Sequence, residues 1–211
     1  MIVVDIETSG LYPEKHGIWQ IGALDFYNPQ YIFLQESRID EEDKVTEEAL
    51  KVIEKTEAEL RDTNKQSQKK LLENFFHWMH SVRIKNAICE NPQFDLGFIS
   101  SKARKYNLKY PFHHRAFDLH SIAQLKYHQL NGEFYDEKDH SGMGLSKILE
   151  YCGLSDKRTR LEAGKVVQEG TPHNALEDTK LTAECLSRLL IGKSLIKEYS
   201  HYKVPECLAW H

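Results

Sequence analysis

With 211 residues, the chain has the length of one ordinary domain, enough to bury about seven tenths of the surface its unfolded form would expose. A hydrophobic share of 40% and a charged share of 28% are those of a compact globular protein and exclude a disordered chain or a fibrous repeat. A formal net charge of −4 counts against a protein that grips long duplex nucleic acid by neutralising many phosphates.

No eighteen apolar residues run together, and Asp5 interrupts the N-terminal apolar stretch too early for a secretion signal, so the expectation is a cytoplasmic protein without membrane attachment. Ile2 to Ile6 reads as a strand, Thr8-Ser9-Gly10 as a turn, and Ile18 to Phe26 and Tyr31 to Leu34 as two further strands joined at Asn28-Pro29. After Asp43 the pattern turns helical, with Leu50, Ile53 and Leu60 on one side. A polar break at Asp62 to Ser67 precedes a second helix striped by Leu71, Leu72, Phe75, Phe76 and Met79. A short strand at Asn86 to Cys89 leads into a helix from about Pro92 to Tyr106, a strand ending near Asp118 and a helix to about Leu130. Gly132 to Gly142 reads as a polar loop, followed by helices at Leu145 to Tyr151 and Ala175 to Leu190. Strands first, then strands alternating with helices, indicates an α/β domain over residues 1–190, a mixed sheet flanked by helices, with a tail at 191–211 whose role is not readable. Cys89, Cys152, Cys185 and Cys207 lack Cys-x-x-Cys spacing, and neither a disulfide nor structural zinc is expected.

Five residues in three places stand out chemically. In a strand over Val3 to Glu7, side chains alternate faces, so Asp5 and Glu7 point the same way, roughly 6 to 7 Å apart. Two carboxylates on one face repel one another and resist dehydration unless a cation lies between them. Alone, so short a motif more often marks a strand end that meets solvent. Asp95 falls in the first turn of the helix begun by Asn91-Pro92, and its i+3 and i+4 neighbours Phe98 and Ile99 give it the apolar face. Asn174-Ala175-Leu176-Glu177 has the form of a capping box just after His173, and Asp178 then heads a stripe of Leu181, Cys185 and Leu189. An uncompensated charge there would cost several kcal/mol by order of magnitude. His173, outside the helix, reads as free to swing over the other residues.

Together these residues resemble the DEDDh exonucleases, the ribonuclease H-like group that includes polymerase proofreading subunits, ribonuclease T and oligoribonuclease. Asp5-Ile6-Glu7-Thr8-Ser9-Gly10 is similar to the first motif, Asn91 to Asp95 to the second and His173 to Asp178 to the third, over roughly residues 1–190. Position 174 is asparagine, so the sister subclass with tyrosine four residues before its last aspartate does not fit. Two departures bear on substrate preference: Glu90 stands where relatives more often carry histidine or a small residue, and a Gly-Ile-Thr turn common in proofreading members is missing around Ile53 to Thr56.

The resemblance implies a ribonuclease H-like mixed five-stranded sheet flanked by helices. It implies that Asp5, Glu7, Asp95 and Asp178 hold two Mg²⁺ or Mn²⁺ ions, oxygen ligands suiting hard cations, and that His173 takes the proton of an attacking water. The activity implied is 3′-to-5′ cleavage of single-stranded DNA or RNA at the 3′ end, releasing nucleoside 5′-monophosphates. An acidic total is compatible with this, because carboxylates that hold metal are counted while the cations are not. Thr8, Ser9, Gly10 and Leu11 would meet the terminal sugar and base, and Phe94, ahead of Tyr12 and Trp19, would offer a stacking face. Alternatives are an exonuclease subunit serving a polymerase, with Ile191 to His211 as docking segment, or a catalytically silent nucleic-acid-binding module; homodimerisation stays open.

Overall fold

The computed structural model describes residues 1–162 and 165–209. Its five-stranded sheet is built from β1 (Ile2–Thr8), β2 (Ile18–Asp25), β3 (Asn28–Glu36), β4 (Ala87–Cys89) and β5 (Phe117–Asp118), in the order β3-β2-β1-β4-β5. β1 is thus central, antiparallel to β2 and parallel to β4, and the sheet is mixed. Helices α1 (Glu47–Ile53), α2 (Glu57–Leu60), α3 (Gln68–Met79), α4 (Pro92–Lys105), α5 (Leu119–Asn131), α6 (Leu145–Tyr151) and α7 (Ala175–Ile191) flank it.

The period of two in β1 divides the core. Ile2, Val4 and Ile6 pack against α3 and α4 through Leu71, Phe75, Phe98 and Ile99. Val3 faces the opposite layer, with Leu119, Ile148, Leu181 and Cys185 of α5, α6 and α7. Asp5 and Glu7 share the face of Val3, so both carboxylates project from the central strand toward α7.

Helix α7 lies unusually close to β2 because residue 22 is glycine. A Cβ there would sit 2.2 Å from the carbonyl carbon of Ala175 and 2.3 Å from the amide nitrogen of Leu176. Two hydrogen bonds fix this approach: Ala175 N–H donates to Gln20 Oε1 at 2.8 Å, and Thr179 Oγ1 donates to the carbonyl of Gly22 at 3.0 Å. The position of Asp178 above β1 follows.

Four local expectations need correction. The turn between β2 and β3 is Phe26-Tyr27, with Asp25 opposite Asn28 and the Asp25 carboxylate accepting from Tyr27 N–H at 3.2 Å. Asn28 and Pro29 belong to β3, an edge strand, where a missing N–H need not break the ladder. The helical stretch after Asp43 is two helices: Glu54 turns left-handed at φ 51°, and Thr56 caps α2 in a capping box with Glu59. Ile53 and Leu60 still share one small core with Trp19 and Ile39. Within the loop expected at Gly132 to Gly142, β6 (Asp136–Glu137) and β7 (His140–Ser141) form a small hairpin. A further hairpin, β8 (Arg160–Glu162) with β9 (Lys165–Gln168), lies where no element was expected.

The segment after α7 folds back on it. Arg188, fully buried, donates to the carbonyls of Cys152, Tyr199 and Tyr202 at 2.9, 3.2 and 3.1 Å and pairs with Glu184 at 2.7 Å. The second Glu184 oxygen accepts from the amides of Leu195 and Ile196, both at 2.8 Å, and Ile196, Tyr199 and Leu208 join the α7 core. Trp210 and His211 lie outside the described residues. Among the described residues, no helix is long and apolar enough to cross a membrane.

Candidate active site

A cleft of about 710 Å³ opens beside the C-terminal end of β1, and its walls include Asp5, Glu7, Thr8, Gly10, Leu11, Glu90, Phe94, Arg158, His173 and Asp178. Asp95 does not line it. That carboxylate is buried just behind, near enough for its charge to act on both Asp5 and Glu7. Asp5, Glu7 and Asp178 therefore share the cleft, and the charge of Asp95 reaches them from outside its lining.

Each is positioned by local structure. The ladder between β1 and β2 shifts register after Glu7, where Ser9 turns inward. Its hydroxyl donates to the carbonyl of Lys44 at 2.6 Å and accepts from Gly17 N–H at 2.9 Å. The Ser9 side chain is thus spent on fixing the loop, while Thr8, Gly10 and the 70% exposed Leu11 face the cleft. At α4, Asn91 precedes Pro92 with φ 61° and its side chain makes no capping bond, contrary to expectation; its own N–H is taken by Asp118 Oδ1 at 3.3 Å. Phe94 packs on Phe98 with ring centroids 5.0 Å apart and reaches the cleft. Trp19, considered as a stacking surface, is core at 2% exposed.

At α7, Asn174 caps the helix by accepting from the amides of Leu176 and Glu177 at 3.1 and 3.3 Å. The reciprocal half of the expected box is missing, because the Glu177 carboxylate is drawn to Lys180 at 2.7 Å. His173 does not swing freely. Its Nε2 lies 2.9 Å from the carbonyl of Thr159 and its Nδ1 3.5 Å from Asp178 Oδ2.

Burial, and after it the charges of Asp95, Asp178 and Glu7, pushes the Asp5 carboxyl well above the usual carboxylate range. Glu7 is raised well up by burial and then by Asp178 and Asp95; Asp95 is raised well up chiefly by burial. Asp178 is raised by burial too, with Arg158 and His173 pulling it back. The charge of Arg158 offsets only part of this crowding, and one ligand atom each from Glu7, Asp178 and the neighbouring His173 lie within 4.8 Å of one another. Asp178 Oδ1, buried, has no hydrogen-bond partner among the described residues. Clustered carboxylates, one with an oxygen that makes no hydrogen bond among the described residues, fit a hard divalent cation.

Sequence reasoning missed Arg158. Its guanidinium, 8% exposed, lines the same cleft with Nη1 3.3 Å from Asp178 Oδ1. No periodicity marks the stretch that carries it; only the acids around it would have prompted a search for a resident cation.

Residues 2–186 match the RNase_T family, described as "Exonuclease". The chain belongs to the RNase_T exonuclease family. No curated protein sequence matches it. Among solved structures, the chain resembles cell-death related nuclease 4 (TM-score 0.64, 17% identity, 90% of this chain and 62% of that one). It also resembles the nuclease domain of 3′hExo, a DEDDh family member bound to rAMP (TM-score 0.61, 19% identity, 97% and 95%). A third is the zinc-bound E. coli ExoI–ssDNA complex (TM-score 0.62, 15% identity, 90% and 39%). The chain thus spans 62% of the first and 39% of the third, but nearly all of the 3′hExo domain. These likenesses show a ribonuclease H-like fold.

Proposed function

We propose that this protein is a 3′-to-5′ exonuclease that hydrolyses the terminal phosphodiester of single-stranded DNA or RNA and releases nucleoside 5′-monophosphates. Asp5, Glu7, Asp95 and Asp178 are the ligands for two Mg²⁺ or Mn²⁺ ions, and His173 is the general base. The observation that carries this is the convergence of Asp5, Glu7 and Asp178 on one cleft with Asp95 buried beside them, Asp178 Oδ1 making no hydrogen bond among the described residues. When bound, two such cations supply charge stabilisation at the attacked phosphate and make water a better nucleophile.

The chain's own residues do the rest. The Thr159 carbonyl can only accept, so it fixes the proton of His173 on Nε2 and leaves the Nδ1 lone pair turned toward the cleft. From there Nδ1 takes the proton of the attacking water, and Asp178 Oδ2, 3.5 Å away, stabilises the imidazolium that results. Leu11 at the mouth and the Phe94 ring hold the last base, and Thr8 and Gly10 bound the space for its sugar. The 3′hExo domain bound to rAMP and the ExoI–ssDNA complex support a terminal nucleotide on a single strand as ligand.

The test is a digestion of 5′-labelled DNA and RNA strands, single and paired, with magnesium, with manganese and with a chelator, the products being separated as a ladder and as mononucleotides. Shortening from the 3′ end, release of 5′-monophosphates and silence in chelator are expected, with cleavage abolished in folded Asp5→Ala and Asp178→Ala. Full activity in either variant overturns the two-metal assignment.

A further inference from the structure

Arg158 is built differently from an ordinary structural ion pair. Its Nε and Nη2 bind the two oxygens of Asp156 at 2.9 and 3.0 Å, and Nη2 lies 3.4 Å from Ser146 Oγ. Asp156 is itself steadied by Ser146 Oγ at 2.6 Å and held down to about 2 against its burial by Arg158 and Ser146. This fork-to-fork clamp fixes the guanidinium plane from behind.

Nη1 instead lies 3.3 Å from Asp178 Oδ1, and Arg158 lines the cleft shared with Asp5, Glu7 and His173. That ion pair with Asp178 Oδ1 lies outside hydrogen-bond geometry, so among the described residues no hydrogen bond takes up the donors on Nη1. The next residue carries the carbonyl that fixes His173, and Thr159 N–H donates to the carbonyl of Thr171 at 2.9 Å. The guanidinium and the imidazole therefore stand on one braced hairpin base, on the two sides of Asp178.

We propose that Arg158 is a catalytic residue that contacts the phosphodiester being cut, its Nη1 edge binding a non-bridging oxygen while Asp156 and Ser146 set its orientation. This rests on the exonuclease reading and adds to it a contact that the four acids and the histidine do not supply. A planar guanidinium with one edge clamped and the other presented suits a tetrahedral oxyanion whose charge grows during displacement.

The experiment compares Arg158→Met, Arg158→Lys and Asp156→Asn with the wild-type chain. Binding of a 5′-fluorescein single-stranded DNA is titrated against salt with calcium replacing magnesium, and kcat and KM are measured with magnesium. One lost phosphate contact on a single strand reduces the slope of log K against log salt by about 0.7. Arg158→Met is expected to show that reduction and a kcat lower by about 10²- to 10³-fold. Arg158→Lys should keep the slope and recover part of kcat, and Asp156→Asn should keep the slope with a smaller loss. An unchanged slope in Arg158→Met, or equal loss in Arg158→Met and Asp156→Asn with the same fall in Tm, overturns the contact in favour of a structural clamp. If Arg158→Met does not fold, Arg158→Lys decides: a full slope with kcat at least about tenfold lower supports the contact, and wild-type kcat overturns it. A wild-type chain that neither binds nor cuts the strand overturns the exonuclease reading along with the contact, whereas an active wild type with an unaltered Arg158→Met loses only the contact.

Discussion

Replacing Glu7 by glutamine should make the metal-free protein more stable while destroying its activity. Glu7 and Asp178 have ligand oxygens within 4.8 Å, so two full charges there repel by about 3.5 kcal/mol at an effective dielectric constant of about 20. Burial adds to that cost, and Asp95 adds to it again. A proton taken up by the nest caps the penalty, so a gain of about 2 to 3 kcal/mol is expected from the neutral isostere at pH 8. For a chain of this length that corresponds to a Tm higher by roughly 4 to 12 °C in chelator. The sign follows from the raised pKa. In the ordinary carboxylate range, near about 4, wild-type Glu7 is protonated and the two proteins should melt together. As pH rises through the elevated folded pKa, the wild type loses the stability that its protonated form had, and the gap opens. Added magnesium should close it, stabilising the wild type more than Glu7→Gln. Melting curves at pH 4 to 8, with chelator and with magnesium, read all of this. A Glu7→Gln protein no more stable than wild type in chelator at pH 8, or equally shifted at both ends of the range, refutes the charge-crowded nest.

His173→Ala should lower kcat by roughly 10²- to 10⁴-fold while calorimetric titration still finds the cations; loss of the cations would make the histidine a ligand instead. Gly22→Ala forces a methyl to within 2.2 Å of the Ala175 backbone, so α7 must shift, at a cost of about 1 to 3 kcal/mol in urea unfolding and with a fall in kcat as Asp178 moves. Arg188→Met leaves Glu184 buried without its cation and four carbonyls without their donor, and should cost about 3 to 5 kcal/mol by urea denaturation; a loss below about 1 kcal/mol would mean that the returning segment is not held by this residue.

The sequence by itself determined those features that depend on neighbours along the chain. A period of two places Asp5 and Glu7 on one face of β1, and a helix that starts at Pro92 or Ala175 must carry Asp95 or Asp178 in its first turn. Steric alternation and helix starts are short-range, so a few residues encode them. The order of strands was not written in any such stretch, and neither was the choice of turn: Pro29 could enter β3 only because that strand became an edge. Trp19, Tyr12 and Phe94 are equivalent as letters, yet packing buries the first and leaves the others at or near the cleft. Tertiary structure alone decided the two orientations on which the proposed chemistry turns. The proton on His173 is assigned by a carbonyl fourteen residues earlier, and Arg158 faces Asp178 because Asp156, Ser146 and the base of a hairpin hold it there. Those partners come together only when the chain folds, because hydrogen bonds and charges act through space, and residues distant in sequence become neighbours only once the core has closed.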